Sequence, residues 1–405
     1  MHLKGRIMRA NPSTPVQSAK SLKIDAIRFM AAAWVVFYHF GPPPFKSIFT
    51  GHLALLGGAL WSGLVVLFAG PAAVIVFFVI SGYCIHNAYH RDASLRPVSY
   101  FVSRYVRIGV PLAIVALVSR PVGDASTLLE SVLWSLYCEL VYYTVYPLVR
   151  QRFHRVGELI VCAVVAGALM VWLEHTHARV VCDHCVYENY GVAGTSLLYF
   201  PGWLLGSLIA DMQRARGGVG AARAYSKLTG WLVRVLRATV RGLSTHLVEA
   251  RIAVIAAGSL TFVLASSSHI KPAFLPTVGP DFTLTIFQFV AAAWIATETA
   301  TPTREASRGV WARLGALGAW SYSLYLCHKL ALAILGAAGY PPGPAWTWLV
   351  TVAFAFALSY AFYLAVERPS HRFAGRLRKL APKVPVQHPN DEPPPAARTT
   401  SRTAG

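Results

Sequence analysis

Residues 24–40 read IDAIRFMAAAWVVFYHF, an apolar run interrupted by Asp25, Arg28 and His39. Read as a helix, the run puts all three on one side. Asp25 and Arg28 are three residues apart and can pair as surface neighbours. From Arg28 to His39 is eleven residues, about 1100° of rotation, which leaves an offset of only about 20°. The same count puts His39 about 16 Å beyond Arg28 along the axis, so Asp25 cannot orient its imidazole. One helical stripe therefore carries a charged pair at one end and a histidine towards the other.

Similar apolar runs recur along the 405 residues, near 71–88, 101–118, 132–149, 158–174, 196–211, 250–266, 282–300, 314–336 and 346–366. Composition agrees: 55% of the residues are hydrophobic and 13% are charged, against about 25% charged in ordinary soluble proteins. Mean hydropathy is +0.48. These figures exclude a soluble globular enzyme, a disordered chain and a fibrous repeat. The expected fold is an all-α polytopic integral membrane protein with about ten transmembrane helices. The first long run has no small-residue cleavage site and reads as a retained helix. The run 52–69 is apolar but holds Gly57, Gly58 and Gly63, with Gly70 and Pro71 after it. It reads either as a re-entrant or interfacial segment or as an eleventh span, which would reverse every later loop.

Charge sets the orientation. The formal net charge is +20, from 37 Lys and Arg against 17 Asp and Glu. On a soluble chain this would suggest nucleic acid; here the basic residues lie between apolar runs, and no nucleic-acid partner is expected. With ten spans and a cytoplasmic N-terminus, the outward loops hold only Lys46, Arg120, Arg179 and Lys271, and Lys329 lies inside a span. All other basic residues fall on the cytoplasmic side, as the positive-inside rule asks. The expected protein is a multi-pass inner or plasma membrane protein with both termini cytoplasmic. Its parts are a tail at 1–21, a membrane domain at 22–372 and a basic, Pro-rich tail at 373–405 that cannot bury a core. The basic loop 212–249 is amphipathic in places and suited to lie on anionic lipid.

Ionisable side chains within spans are costly, and each is a functional candidate. They are Asp25, Arg28, His39, Arg104, Arg107, Glu139, His328 and Lys329. Arg104 and Arg107 share a face at the start of the third span and suit a phosphate-rich ligand, although topology anchoring accounts for most such arginines. Glu139 needs a partner, in a salt bridge or against a substrate. Taken alone, His39 and His328 read more readily as packing residues than as catalytic imidazoles. A separate stretch, HTHARVVCDHC, gathers His175, His177, Cys182, His184 and Cys185. Zinc, a local disulfide and free thiols are all open for it. With no second ligand pair in the chain, no metal is expected.

Six segments occur in order: IDAIRFMAAAWVVFYHF, FFVISGYCI, RYVRI, LWSLYCELVYYTVYPL, SYSLYLCH and VERPSHRF, spread from about residue 22 to residue 372. The series resembles the membrane-bound acyltransferase 3 family, whose members typically read LDGLRGLAALLVVLYHF, FFVLSGFLI, RRxxRIYP, LWSLSVEEQFYLLYPL, SYSLYLWHWP and ERPFRR. The chain departs from that pattern at Ala26 and Phe29, at Leu140 in place of a second glutamate, and at Ala73 and Val74, where an aspartate usually precedes the second motif.

The resemblance implies acyl transfer, with acetyl expected, from a cytoplasmic acyl-CoA co-substrate to a hydroxyl. The hydroxyl is that of a sugar in a surface polysaccharide or lipid-linked glycan, or of a secondary metabolite such as a macrolide. It puts the family histidine on His39 and the family glutamate on Glu139 as catalytic residues. Arg104, Arg107 and Arg28 would then serve the CoA, with Asp25 and His328 in support. The expected partners are acyl-CoA, a carbohydrate acceptor and membrane lipids, with no permanently bound cofactor. A transporter or a non-catalytic export component also fits ten spans with buried charges, but no inverted internal repeat is visible.

Overall fold

The computed structural model describes residues 19–89, 95–122, 125–176, 186–216, 225–266, 279–302, 305–340 and 345–380. Fifteen α-helices account for most of these described residues. They are α1 (Ala19–Phe40), α2 (Phe45–Ile48), α3 (Ala54–Leu67), α4 (Gly70–Tyr89), α5 (Pro97–Ser119), α6 (Ala125–Gln151), α7 (Val156–Thr176), α8 (Val186–Arg216), α9 (Lys227–Leu243), α10 (Leu247–Ser266), α11 (Pro280–Ala300), α12 (Glu305–Leu317), α13 (Ser321–Ala337), α14 (Ala345–Phe362) and α15 (Arg368–Leu380). A π-helical turn, Tyr363–Glu367, joins the last two.

Eight segments are long and apolar enough to cross a membrane by length and composition. Two further helices pack among them. The 22-residue α1 carries Lys23, Asp25 and Arg28, and α13 has 17 residues. Contacts set their direction. Near one end of the bundle, the backbone of Asp25 meets Gly318 just before α13, and Lys23 on α1 reaches the Glu298 carboxylate on α11. Near the other end, the Trp348 indole donates to Gly41 O at 3.1 Å, Tyr38 packs on Gly70 and the Tyr190 hydroxyl donates to Asp281 at 2.6 Å. Helices α1, α4, α5, α6, α7, α8, α10, α11, α13 and α14 thus alternate in direction. The end bearing Lys23 and Arg28 is called the basic end below.

The ambiguous run 52–69 is α3, and it does not cross. Fourteen residues rise about 21 Å, short of a hydrocarbon core of about 30 Å. Both of its ends lie by the same half of the bundle. Gly57 packs on Phe45 and Phe49, just beyond α1, and at the other end the Trp34 indole donates to Leu67 O at 2.9 Å. The crossing is left to α4, which agrees with the reading of 52–69 as a re-entrant or interfacial segment.

Charge ties the basic end together. Lys23 Nζ donates to the carbonyls of Glu298 (2.9 Å) and Thr301 (2.8 Å). Arg251 Nε and Nη2 reach the two Glu298 oxygens at 2.5 and 3.1 Å. Trp311 of α12 lies against both cations, 5.9 Å from Lys23 and 5.3 Å from Arg251. The basic loop holds α9, an amphipathic helix capped by Ser226, whose Oγ accepts from Thr229 N at 3.1 Å. Its Thr229, Val233, Leu236 and Val240 are buried, while Arg234 and Arg241 are exposed. The His/Cys-rich stretch lies outside the described residues from position 177 to 185, as do both chain ends. Among the described residues no group of three metal-ligating side chains occurs.

The tightest packing is between α4 and α8, where small residues let two backbones touch. A Cβ on Gly82 would sit 1.9 Å from Trp203 O, and one on Gly206 would sit 1.9 Å from Val79 O. Neither helix can yield without moving the bundle. Gly206→Ala is therefore expected to destabilise by about 3 kcal/mol or more, the upper range of overpacking costs. Thermal unfolding of the purified protein in detergent should show a lowered midpoint and a lower folded yield. An unchanged midpoint would contradict this packing.

Candidate functional site

A cavity of about 540 Å³ opens at the basic end between α1, α4, α5, α6 and α13, with the segment from Tyr363 to Arg372 along one wall. Five of the eight ionisable residues singled out in the sequence line it: Asp25, Arg28, Arg104, Arg107 and Glu139. Helix α1 supplies the first two on one face, three residues apart. Arg28 Nη1 lies 3.3 Å from Asp25 Oδ1, and its Nη2 donates to Cys84 Sγ at 3.2 Å. Asp25 thus serves Arg28 and not His39.

Glu139 projects from α6 and is held by hydroxyls. Its Oε1 accepts from Ser81 Oγ at 2.7 Å and from the Tyr143 hydroxyl one turn along its own helix. Arg104 on α5 lies against two aromatic faces, 4.8 Å from Tyr89 and 5.7 Å from Tyr143. Among the described residues its buried Nε has no acceptor, which leaves a donor for an anion. Arg107, one turn on, donates from Nε to His371 Nε2 at 3.0 Å. That bond uses the lone pair of the nitrogen, so Glu367 Oε1, 3.7 Å away, is not its hydrogen-bond partner. Glu367 is instead held by Ser323, whose N–H and Oγ donate to Oε2 at 3.0 and 2.5 Å.

Glu367, Arg368, His371 and Arg372 are cavity residues to which the sequence reading gave no role. Their signal was present in VERPSHRF, where Glu367 and His371, and Arg368 and Arg372, stand four apart and share helix faces. A π-helical turn, a feature frequent at functional sites, immediately precedes them. With them, five guanidinium groups (Arg28, Arg104, Arg107, Arg368 and Arg372) face three carboxylates (Asp25, Glu139 and Glu367). Arg107, Arg368 and Arg372 are exposed at the mouth. The cavity therefore suits an anion with several charges, gripped by planar forks that match phosphate oxygens.

His39 and His328 do not line this cavity. They meet each other beyond it, with stacked rings whose centroids are 5.1 Å apart at an interplanar angle of 26°. His328 is fully buried. Its Nδ1 lies 2.6 Å from the Tyr325 carbonyl, so that nitrogen carries the proton. Nε2 is then a bare acceptor, buried with no partner among the described residues. Tyr325 and Phe77 line the cavity with ring centroids 5.7 Å apart, and the Tyr325 ring lies 6.0 Å from that of His328. Lys329, the eighth ionisable residue of the sequence reading, is absent from the cavity wall.

A bundle with an anion-binding mouth and a pair of neutral imidazoles further along the same axis can hold a phosphate-bearing donor and carry a proton transfer at its far end. The family model described as an acyltransferase domain, that of the acyltransferase 3 family, matches residues 21–364. No curated protein and no solved structure matches the chain. The match spans α1 to the π-helical turn and takes in both the cavity arginines of α1 and α5 and the two histidines. The chain belongs to the acyltransferase 3 family and is a membrane acyltransferase.

Proposed function

We propose that the protein moves a short acyl group from acyl-CoA, taken up at the basic end, to a hydroxyl of a sugar in a cell-surface polysaccharide or lipid-linked glycan. The observation that carries this reading is the cavity of five arginines leading along α1 towards two stacked histidines. Arg104, Arg107, Arg368 and Arg372 hold the CoA phosphates. The pantetheine arm runs past Arg28 and Glu139 towards Tyr325. The acceptor oxygen attacks the thioester carbonyl while neutral His39 takes its proton. The carbon–sulfur bond breaks, and the CoA thiolate leaves with the proton that His39 returns. His328, stacked on His39, keeps that ring in place. Acceptors and product lie on the side of the membrane opposite the donor. The asymmetry of basic residues supports a cytoplasmic side for both chain ends and for the mouth.

Two experiments test this. Replacing Arg104 and Arg107 together by Ala removes charge-assisted contacts worth about 1.5–3 kcal/mol each. The apparent Kd for acetyl-CoA, by calorimetry on the purified protein, should rise at least tenfold. Lys at both positions should restore binding only in part, because a point charge cannot replace a bidentate fork. Unchanged affinity in the double Ala variant would make the pair topology anchors only. For orientation, a reporter fused after residue 380 should be cytoplasmic, and one inserted at 177–185 should be on the opposite side. Finding both on one side would refute the arrangement.

A further inference from the structure

The donor cavity is closed at its deep end by a small group of side chains. Val74 and Phe77 come from α4, Ser135 from α6 and Tyr325 from α13. Tyr325 is pinned in place. Its hydroxyl lies 2.7 Å from Ser135 Oγ and 3.2 Å from the Val132 carbonyl, and its own carbonyl takes the proton of His328 Nδ1. Phe77 meets the Tyr325 ring edge to face, at an interplanar angle of 64°. Beyond Phe77 the bundle is dense: Ala32, Val36 and Leu324, which pack with it, are fully buried. His328 begins one helical turn past Tyr325, with 6.0 Å between the two rings. On the acyl-transfer reading, an acyl group delivered from the cavity to the histidines passes the edge that Phe77 and Tyr325 form in the cavity wall, towards fully buried residues.

Resting on the acyl-transfer reading above, we infer that Phe77 and Tyr325 form a size filter that admits acetyl-sized groups to His39 and His328 and rejects longer chains. The ring of Phe77, partly exposed to the cavity, is the adjustable wall. Tyr325, fixed by Ser135, is the rigid one. Each extra methylene on the donor would have to displace close-packed atoms, and a pocket of this kind discriminates by about 10- to 200-fold per methylene.

The test uses the full-length protein in nanodiscs, with source-cell membranes deacylated by mild alkali as acceptor. CoA thiol release is followed from acetyl-CoA, butyryl-CoA and octanoyl-CoA. The parent should favour acetyl-CoA over butyryl-CoA in kcat/KM by about 100-fold or more. Phe77→Ala should lower that ratio at least tenfold by admitting the longer chain. Phe77→Leu, which keeps apolar contact with the core, gives the same test if the Ala variant folds poorly, and Tyr325→Phe should relax the ratio by freeing the ring from Ser135. If Phe77 and Tyr325 were packing residues only, their variants would slow all donors in proportion. An unchanged acetyl-to-butyryl ratio in all three variants would therefore overturn the filter while leaving acyl transfer standing. A parent that releases no CoA from any donor would overturn the acyl-transfer reading, and the filter with it.

Discussion

Charges on α1 have to be paired inside the bundle, and the rest of the structure is arranged around that requirement. Transferring an ion out of water costs several kcal/mol even after relaxation, and the loss is recovered only with good geometry and further hydrogen bonds. Lipid gives apolar helices little reason to associate, so packing of small residues and polar contacts must order them. On α1, Lys23 finds Glu298 together with two carbonyls, and Arg28 finds Asp25 and Cys84. These contacts draw α4 and α11 onto the same end of α1. The Gly82–Gly206 crossing then brings α8 against α4, and the arginines of α5 and α15 complete a basic mouth around Arg28.

From that arrangement follows a separation of tasks along one axis. The charged groups, which need water or an anion, stay at the mouth. The two stacked histidines lie outside the cavity lining, with His328 fully buried one turn past Tyr325. A donor with a phosphate-rich head and a thin arm matches this gradient. In the proposed complex its charge would remain with Arg104, Arg107, Arg368 and Arg372, and only its acyl end would need to enter the drier region. Among the described residues the buried Nε2 of His328 has no partner, an unsatisfied acceptor in a region where such atoms are costly.

The sequence disclosed those features for which burial of charge is the signal. Asp25, Arg28, Arg104, Arg107 and Glu139 stand out because lipid-embedded runs rarely tolerate ions, and all five reach one cavity. Helical arithmetic also separated Asp25 from His39. Glu367, His371, Arg368 and Arg372 were harder to see, because charges at the end of a span are ordinary and only folding of the last helices across α5 gives them a cavity to face. The contact between His39 and His328 could not be read at all, since no periodicity relates α1 to α13. The run 52–69 remained open for a similar reason. Its composition suits lipid either way, and only the packing of Gly57 on Phe45 and Phe49 turns α3 back.

The central claim is that His39 takes the acceptor proton at the far end of the donor path. Its most direct measurement is acylated product formed per folded molecule by His39→Gln, beside the parent, in the same membrane mimetic. Glutamine preserves hydrogen bonding and approximate shape but cannot accept a proton near neutral pH. The account predicts folded, donor-binding protein whose turnover falls by at least 100-fold, the lower range for loss of a general base. Turnover within a few-fold of the parent would contradict it and reduce His39 to a packing residue.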